Sequence, residues 1–150
     1  MNKRTIWFYG SLVILAVTMG LLLTGSPLLT KALDSNGTIP LGTFITWAGM
    51  ISLPMAIYWG IGELRRPLSK FNRVLSLFLK IILALAILWV PISYLLSGNI
   101  SFSFSERDEF QGGQRAMRLF WAFSYGIPIG SISLLILYWL SLLIRKQKKI

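Results

Sequence analysis

The chain has 150 residues, of which 55% are hydrophobic and only 13% charged, with 15 Lys and Arg against 5 Asp and Glu. A soluble domain carries about a quarter of its residues charged, so the composition excludes an ordinary soluble fold and points to a membrane protein. There is no cysteine and no histidine. That excludes disulfides, thiolate and histidine general-base chemistry, and the usual zinc, haem and iron–sulfur ligand sets within this chain.

The pattern of apolar runs predicts an all-α integral membrane protein: a single domain, 1–150, with four transmembrane helices in a bundle at about 6–24, 41–62, 74–96 and 119–144. The outer loops are then 25–40 and 97–118 and the inner loop is 63–73, with both termini cytoplasmic. Charge sets this orientation. The inner segments hold eleven cations (Lys3, Arg4, Arg65, Arg66, Lys70, Arg73, Lys80, Arg145, Lys146, Lys148 and Lys149) against the single acid Glu63. The outer segments balance four cations against four acids, so the whole excess lies on one side. This accounts for the net charge of +10 without nucleic acid. It also predicts anionic lipid partners at Arg65, Arg66, Lys70, Arg73, Arg145, Lys146, Lys148 and Lys149.

The first span, Ile6–Thr24, opens with Trp7, Phe8 and Tyr9, amphipathic rings suited to the headgroup level. A cleavable signal peptide fits the same basic start and apolar run, but no small-x-small site follows. Gly25-Ser26-Pro27 stops the helix, and Asp34-Ser35-Asn36-Gly37 marks a turn. Asn36-Gly37-Thr38 and Asn99-Ile100-Ser101 match the glycosylation sequon, a triplet common by chance.

The second span begins after Pro40. The inner loop that follows contains Glu63, within reach of Arg65, Arg66 or Arg73 in sequence. Lys80 lies inside the third span, where its stem can reach the inner interface. The second outer loop alternates Ile100-Ser-Phe-Ser-Phe-Ser105 with the period of a half-buried strand. Glu106, Arg107, Asp108 and Glu109 follow, then a Gly112-Gly113 hinge and Arg115. With Phe102 and Phe104, these make the loop the candidate recognition surface. The last span, Leu119–Ile144, is 26 residues without a charge, about 39 Å of helix against a hydrocarbon core of about 30 Å. The lysine tail matches an endoplasmic-reticulum retrieval signal, although topology already explains it. The reading places the chain in a multi-pass membrane, a bacterial inner membrane ahead of a eukaryotic endomembrane.

Two features inside the spans bear on function. Pro54, Pro91 and Pro128 each remove a backbone donor and free the carbonyls of Met50, Ile87 and Ser124. Such kinks suit either a static bundle or a cavity. Small residues also form two stripes: Gly126, Gly130 and Ser133, continued by Leu137 and Ser141, in the fourth span, and Gly49, Ser52, Ala56 and Gly60 in the second. Small residues let helix backbones approach closely in lipid, so each stripe is a contact face, toward the other or toward a second protein. No acid lies within a span, which argues against an ion-coupled carrier. An outer-face enzyme would have to rely on Asp34, Glu106, Asp108 or Glu109, and Arg107 within the last cluster favours a plain ion-paired surface. The expectation is a non-catalytic protein without cofactor or metal that binds a partner membrane protein. The alternative is a small channel or carrier with a proline-kinked cavity.

Overall fold

The computed structural model describes residues 2–35, 39–100 and 112–147, the Lys146 side chain excepted. These residues are helical with no strand; the only sheet-like pairing among them is an isolated bridge between Ala32 and Pro40. Six α-helices follow in order: α1 (Lys3–Leu23), α2 (Leu41–Gly60), α3 (Gly62–Arg65), α4 (Lys70–Ile87), α5 (Trp89–Ser97) and α6 (Gly113–Gln147). Three, α1, α2 and α6, are long and apolar enough to cross a membrane. A fourth crossing exists if α4 and α5, bent by 53° at their junction, form one span.

The helix ends follow from local chemistry. Asn2 caps α1, its side chain accepting from the Arg4 N–H. At the other end Gly25 is left-handed (φ 57°), and the N–H groups of Gly25 and Ser26 donate to the carbonyls of Leu22 and Leu21. That is the paired closure which a C-terminal glycine permits. A 3-10 turn, Pro27–Leu29, then leads into a tight return, in which Asp34 Oδ1 accepts from the Ile39 N–H at 2.8 Å. Ser69 caps α4 by accepting from the Asn72 N–H at 3.1 Å.

The second span ends earlier than the sequence suggests. Backbone at Ile61 turns extended, and Gly62–Arg65 forms a separate short helix that buries Leu64 completely. The segment expected as a third span is not one straight helix: it breaks at Leu88, three residues before Pro91. The carbonyl of Ile87, deprived of its donor by Pro91, accepts instead from the Trp47 indole N–H at 3.1 Å. The same N–H reaches the Ala86 carbonyl at 3.0 Å. Pro54 and Pro128 behave differently, for α2 and α6 continue across them as single helices. The last helix, α6, also starts earlier than expected, at Gly113 rather than Leu119, and this places Arg115 in its first turn.

α1 lies at the edge of the bundle and packs almost wholly on α2. Its covered face is Thr5, Phe8, Ser11, Leu15, Thr18 and Leu21, spaced by three and four residues. α2 also touches α4 and α6, and α6 lies against both α4 and α5. The inward positions of α6 are Ala116, Phe120, Ser124, Ile127, Ser131, Leu134 and Tyr138. Their regular three-and-four spacing makes one continuous seam. The core forms two clusters, one of Ile57, Leu64, Leu75, Leu79, Leu134 and Tyr138, the other of Ala86, Trp89, Phe120 and Ile127. In the second, the Trp89 indole N–H donates to Ser124 Oγ at 2.8 Å, so a buried polar pair joins α5 to α6.

Candidate functional site

The two small-residue stripes do not meet. The α2 stripe is used inside the chain: a Cβ built on Gly49 would lie 2.5 Å from Thr18 Cγ2, and one on Gly60 would lie 2.9 Å from the Phe8 ring. Both neighbours belong to α1. Thr18 Oγ1 also donates to the Ile45 carbonyl at 3.2 Å, a bond between helices that needs this close approach. Ser52 and Ala56 are buried as well, at 4% and 6% exposure.

The α6 stripe has a different setting. Gly126 and Ser133 are exposed, and nothing among the described residues lies within 4 Å of a Cβ built on Gly126. Gly130 is partly covered by Ile82 of α4, 3.2 Å from its would-be Cβ. Thus the sequence identified both stripes but not their different use. The seam of α6 that packs inward is offset from its glycines. Its alternating spacing was present in the sequence, though Ser124 and Ser131 interrupt its apolar character.

At one end of the bundle a polar cluster ties three segments together. Glu63 Oε2 accepts from Asn72 Nδ2 at 2.7 Å and from Arg145 Nη1 at 3.3 Å. Arg145 Nη2 also donates to Ser69 Oγ at 3.1 Å and to Asn72 Oδ1 at 3.3 Å. The partner of Glu63 is therefore Arg145, 82 residues away, rather than Arg65, Arg66 or Arg73. Arg65 instead lies over the Trp59 ring, 5.5 Å from its centroid. The ion pair itself is half-exposed and contributes little. Asn72, by contrast, is only 2% exposed, so its amide depends on these partners. Glu63→Ala is expected to lower stability by about 1–2 kcal/mol by stranding that amide, read from the unfolding midpoint in mixed micelles. Glu63→Gln should recover most of the loss, since it keeps an acceptor.

Near the same end, Arg4 Nε and Nη2 donate to the carbonyls of Trp59 and Gly60, each at 3.0 Å. These contacts close the C-terminus of α2 with a cation from α1. The basic residues of the N-terminus, the segment after α2 and the end of α6 are thereby gathered at one end. Lys70 and Arg73 are exposed in the first turn of α4, and Lys80 is exposed farther along it.

An apolar recess of about 140 Å³ lies between α1, α2 and α6, lined among others by Thr18, Thr46, Gly49, Leu53 and Pro128. Pro54 and Pro91 do not line it. Pro54 is fully buried and Pro91 exposed. Thr46, Ser76 and Ser93 bury hydroxyls without a hydrogen-bond partner among these residues.

Phe102, Phe104, Glu106, Arg107, Asp108 and Glu109 lie outside the described residues, as do the Asn36 sequon, Lys148 and Lys149. Of the recognition loop, Arg115 is described and is exposed on α6. Asn99 sits in the cap that closes α5, where Gly98 is left-handed (φ 74°) and Ser97 Oγ donates to the Asn99 carbonyl. Thr43 Oγ1 donates to the Ile100 carbonyl at 2.8 Å, anchoring the start of that loop to α2. Among the described residues no group of three acidic side chains is arranged to hold a metal. Comparison with protein-family models, with curated proteins and with solved structures gives no match to this chain.

Proposed function

We propose that this is a non-catalytic, four-span membrane protein with both termini cytoplasmic, which binds another integral membrane protein as an accessory or assembly subunit or as an immunity-type inhibitor. The observation that carries this reading is the contrast between the two glycine stripes. Gly49 and Gly60 are filled by α1, whereas no described residue lies within 4 Å of a Cβ built on Gly126. A glycine on a lipid-facing helix surface gains nothing there and is the less favourable helix former by about 1 kcal/mol relative to alanine. A closely approaching partner helix gives it a purpose. The contact face is then Gly126, Gly130 and Ser133, with the 97–118 loop supplying specificity. The excess of cations at one end orients the chain and meets anionic lipid at the inner leaflet.

The test is a mild-detergent pull-down of the tagged full-length chain, with native mass analysis. A stoichiometric larger partner is expected, lost on Gly126→Leu while the helical content is kept. Gly126 is the cleaner position, since Gly130→Leu would also press on Ile82. Survival of the complex in Gly126→Leu removes this face as the contact. A lone monomer would move the weight to a channel or carrier, whose test is solute flux in liposomes. That alternative draws less support, because the recess at Pro128 is almost wholly apolar.

A further inference from the structure

A second recess, of about 420 Å³, opens where α1 begins and α2 ends, lined by Asn2, Lys3, Arg4, Trp59, Arg65 and Arg66. Four of its six residues are cationic and none is acidic. Arg4 is held by the Trp59 and Gly60 carbonyls, and Arg65 is held over the Trp59 ring. The side chains of Lys3 and Arg66 have no hydrogen-bond or ion-pair partner among the described residues. The one acid nearby in sequence, Glu63, is engaged by Asn72 and Arg145. The amino end of α1, where the helix dipole is positive, lies at the same place. The recess is therefore a concentrated positive site whose cations are not internally neutralised.

A neighbouring groove of about 210 Å³ shares Arg4 and Trp59 as walls and continues along Thr5, Phe8, Tyr9 and Gly60. Along α1 this is a change from charge to aromatic surface within six residues, about 9 Å of helix. A molecule occupying both would carry an anionic head and an apolar body. A free phosphate would use the first recess alone.

We propose that the paired recess and groove form a binding site for an anionic phospholipid, with the headgroup phosphate among Lys3, Arg4, Arg65 and Arg66 and the glycerol and upper acyl chain against Phe8 and Tyr9. Arginine and lysine suit a phosphate through charge-assisted hydrogen bonds, and Trp59 stacks Arg65 in place. The site rests on the reading of this end as the membrane surface, but not on the existence of a protein partner.

The experiment is native mass spectrometry of the full-length protein offered equal amounts of phosphatidylglycerol and phosphatidylcholine with matched chains. The wild type is expected to retain one phosphatidylglycerol in about tenfold preference. The triple substitution Lys3→Gln, Arg65→Gln, Arg66→Gln should reduce that retention about tenfold. Lys31→Gln, Lys80→Gln, Arg118→Gln removes the same charge outside the recess and should leave it unchanged. Equal losses in the two triples, or no preference in the wild type, would overturn the site. Tyr9→Ala, at an exposed groove residue, should weaken retention severalfold; unchanged retention overturns the lipid assignment, as does displacement of the lipid by millimolar inorganic phosphate. The partner reading fails separately, through Gly126→Leu on the opposite half of the chain.

Discussion

Replacing Gly49 with alanine is expected to destabilise this protein by about 2 kcal/mol, although alanine is the better helix former by about 1 kcal/mol. The added Cβ would meet Thr18 Cγ2 at 2.5 Å, with Thr18 Cβ and Oγ1 close behind at 3.0 and 3.1 Å. Threonine is β-branched and stiff at χ1, so it has little freedom to turn aside. Turning would in any case disrupt its hydrogen bond to the Ile45 carbonyl. The helices must therefore separate, and α1 has little other packing to hold it. Thr18→Ala in the same chain should recover about half of the loss, because it removes the closest atom. Gly126→Ala is the control: with nothing within 4 Å, it should be neutral or slightly stabilising. The readout is the unfolding midpoint in mixed micelles titrated with dodecyl sulfate. A Gly49→Ala protein as stable as the wild type would show that the α1–α2 contact is looser than the structure has it.

Trp47→Phe should have an effect of similar size, about 2–3 kcal/mol, for a different reason. A smaller aromatic ring remains in the site, but the N–H shared by the carbonyls of Ala86 and Ile87 is gone. In lipid a carbonyl cannot turn to water, so the loss is that of an unsatisfied buried group. Pro91→Ala restores a backbone donor opposite Ile87. The substitution should therefore rescue the Trp47→Phe protein more than it helps the wild type, and this non-additivity is the measurement that isolates the pairing. Independent, additive effects of the two substitutions would mean that Trp47 stabilises the bend by packing alone.

These two positions also show what can be read from the chain itself. The freed carbonyl of Ile87 follows from Pro91 by backbone chemistry alone, and the small-residue face of α2 follows from spacing. What filled them was not legible, because Trp47 and Thr18 are brought there by tertiary packing across α2–α4 and α1–α2. The same holds for Glu63. Sequence proximity suggested Arg65, Arg66 or Arg73, yet the fold supplies Arg145 from the far end of α6. Helix limits show a further contrast. Asn2, Gly25, Ser69 and Gly98 are local signals and mark real ends. The extra turns of α6 before Leu119 carry charges, Arg115 and Arg118, and a search for apolar runs stops short of them.

The attachment of α1 to α2 alone has a consequence for the order in which the protein is built. The two helices are consecutive, and between them the N–H groups of Leu33 and Leu41 donate to the carbonyls of Ile39 and Lys31, so their pairing needs nothing synthesised after Gly60. The hairpin can enter the bilayer as a finished unit while the remainder is still on the ribosome. The Glu63–Asn72 cluster is different in kind, for it waits on Arg145, 73 residues beyond Asn72. Maturation thus has an early local step and a late closing one. A chain halted before Arg145 should already hold its first two helices together but leave the amide of Asn72 without the guanidinium.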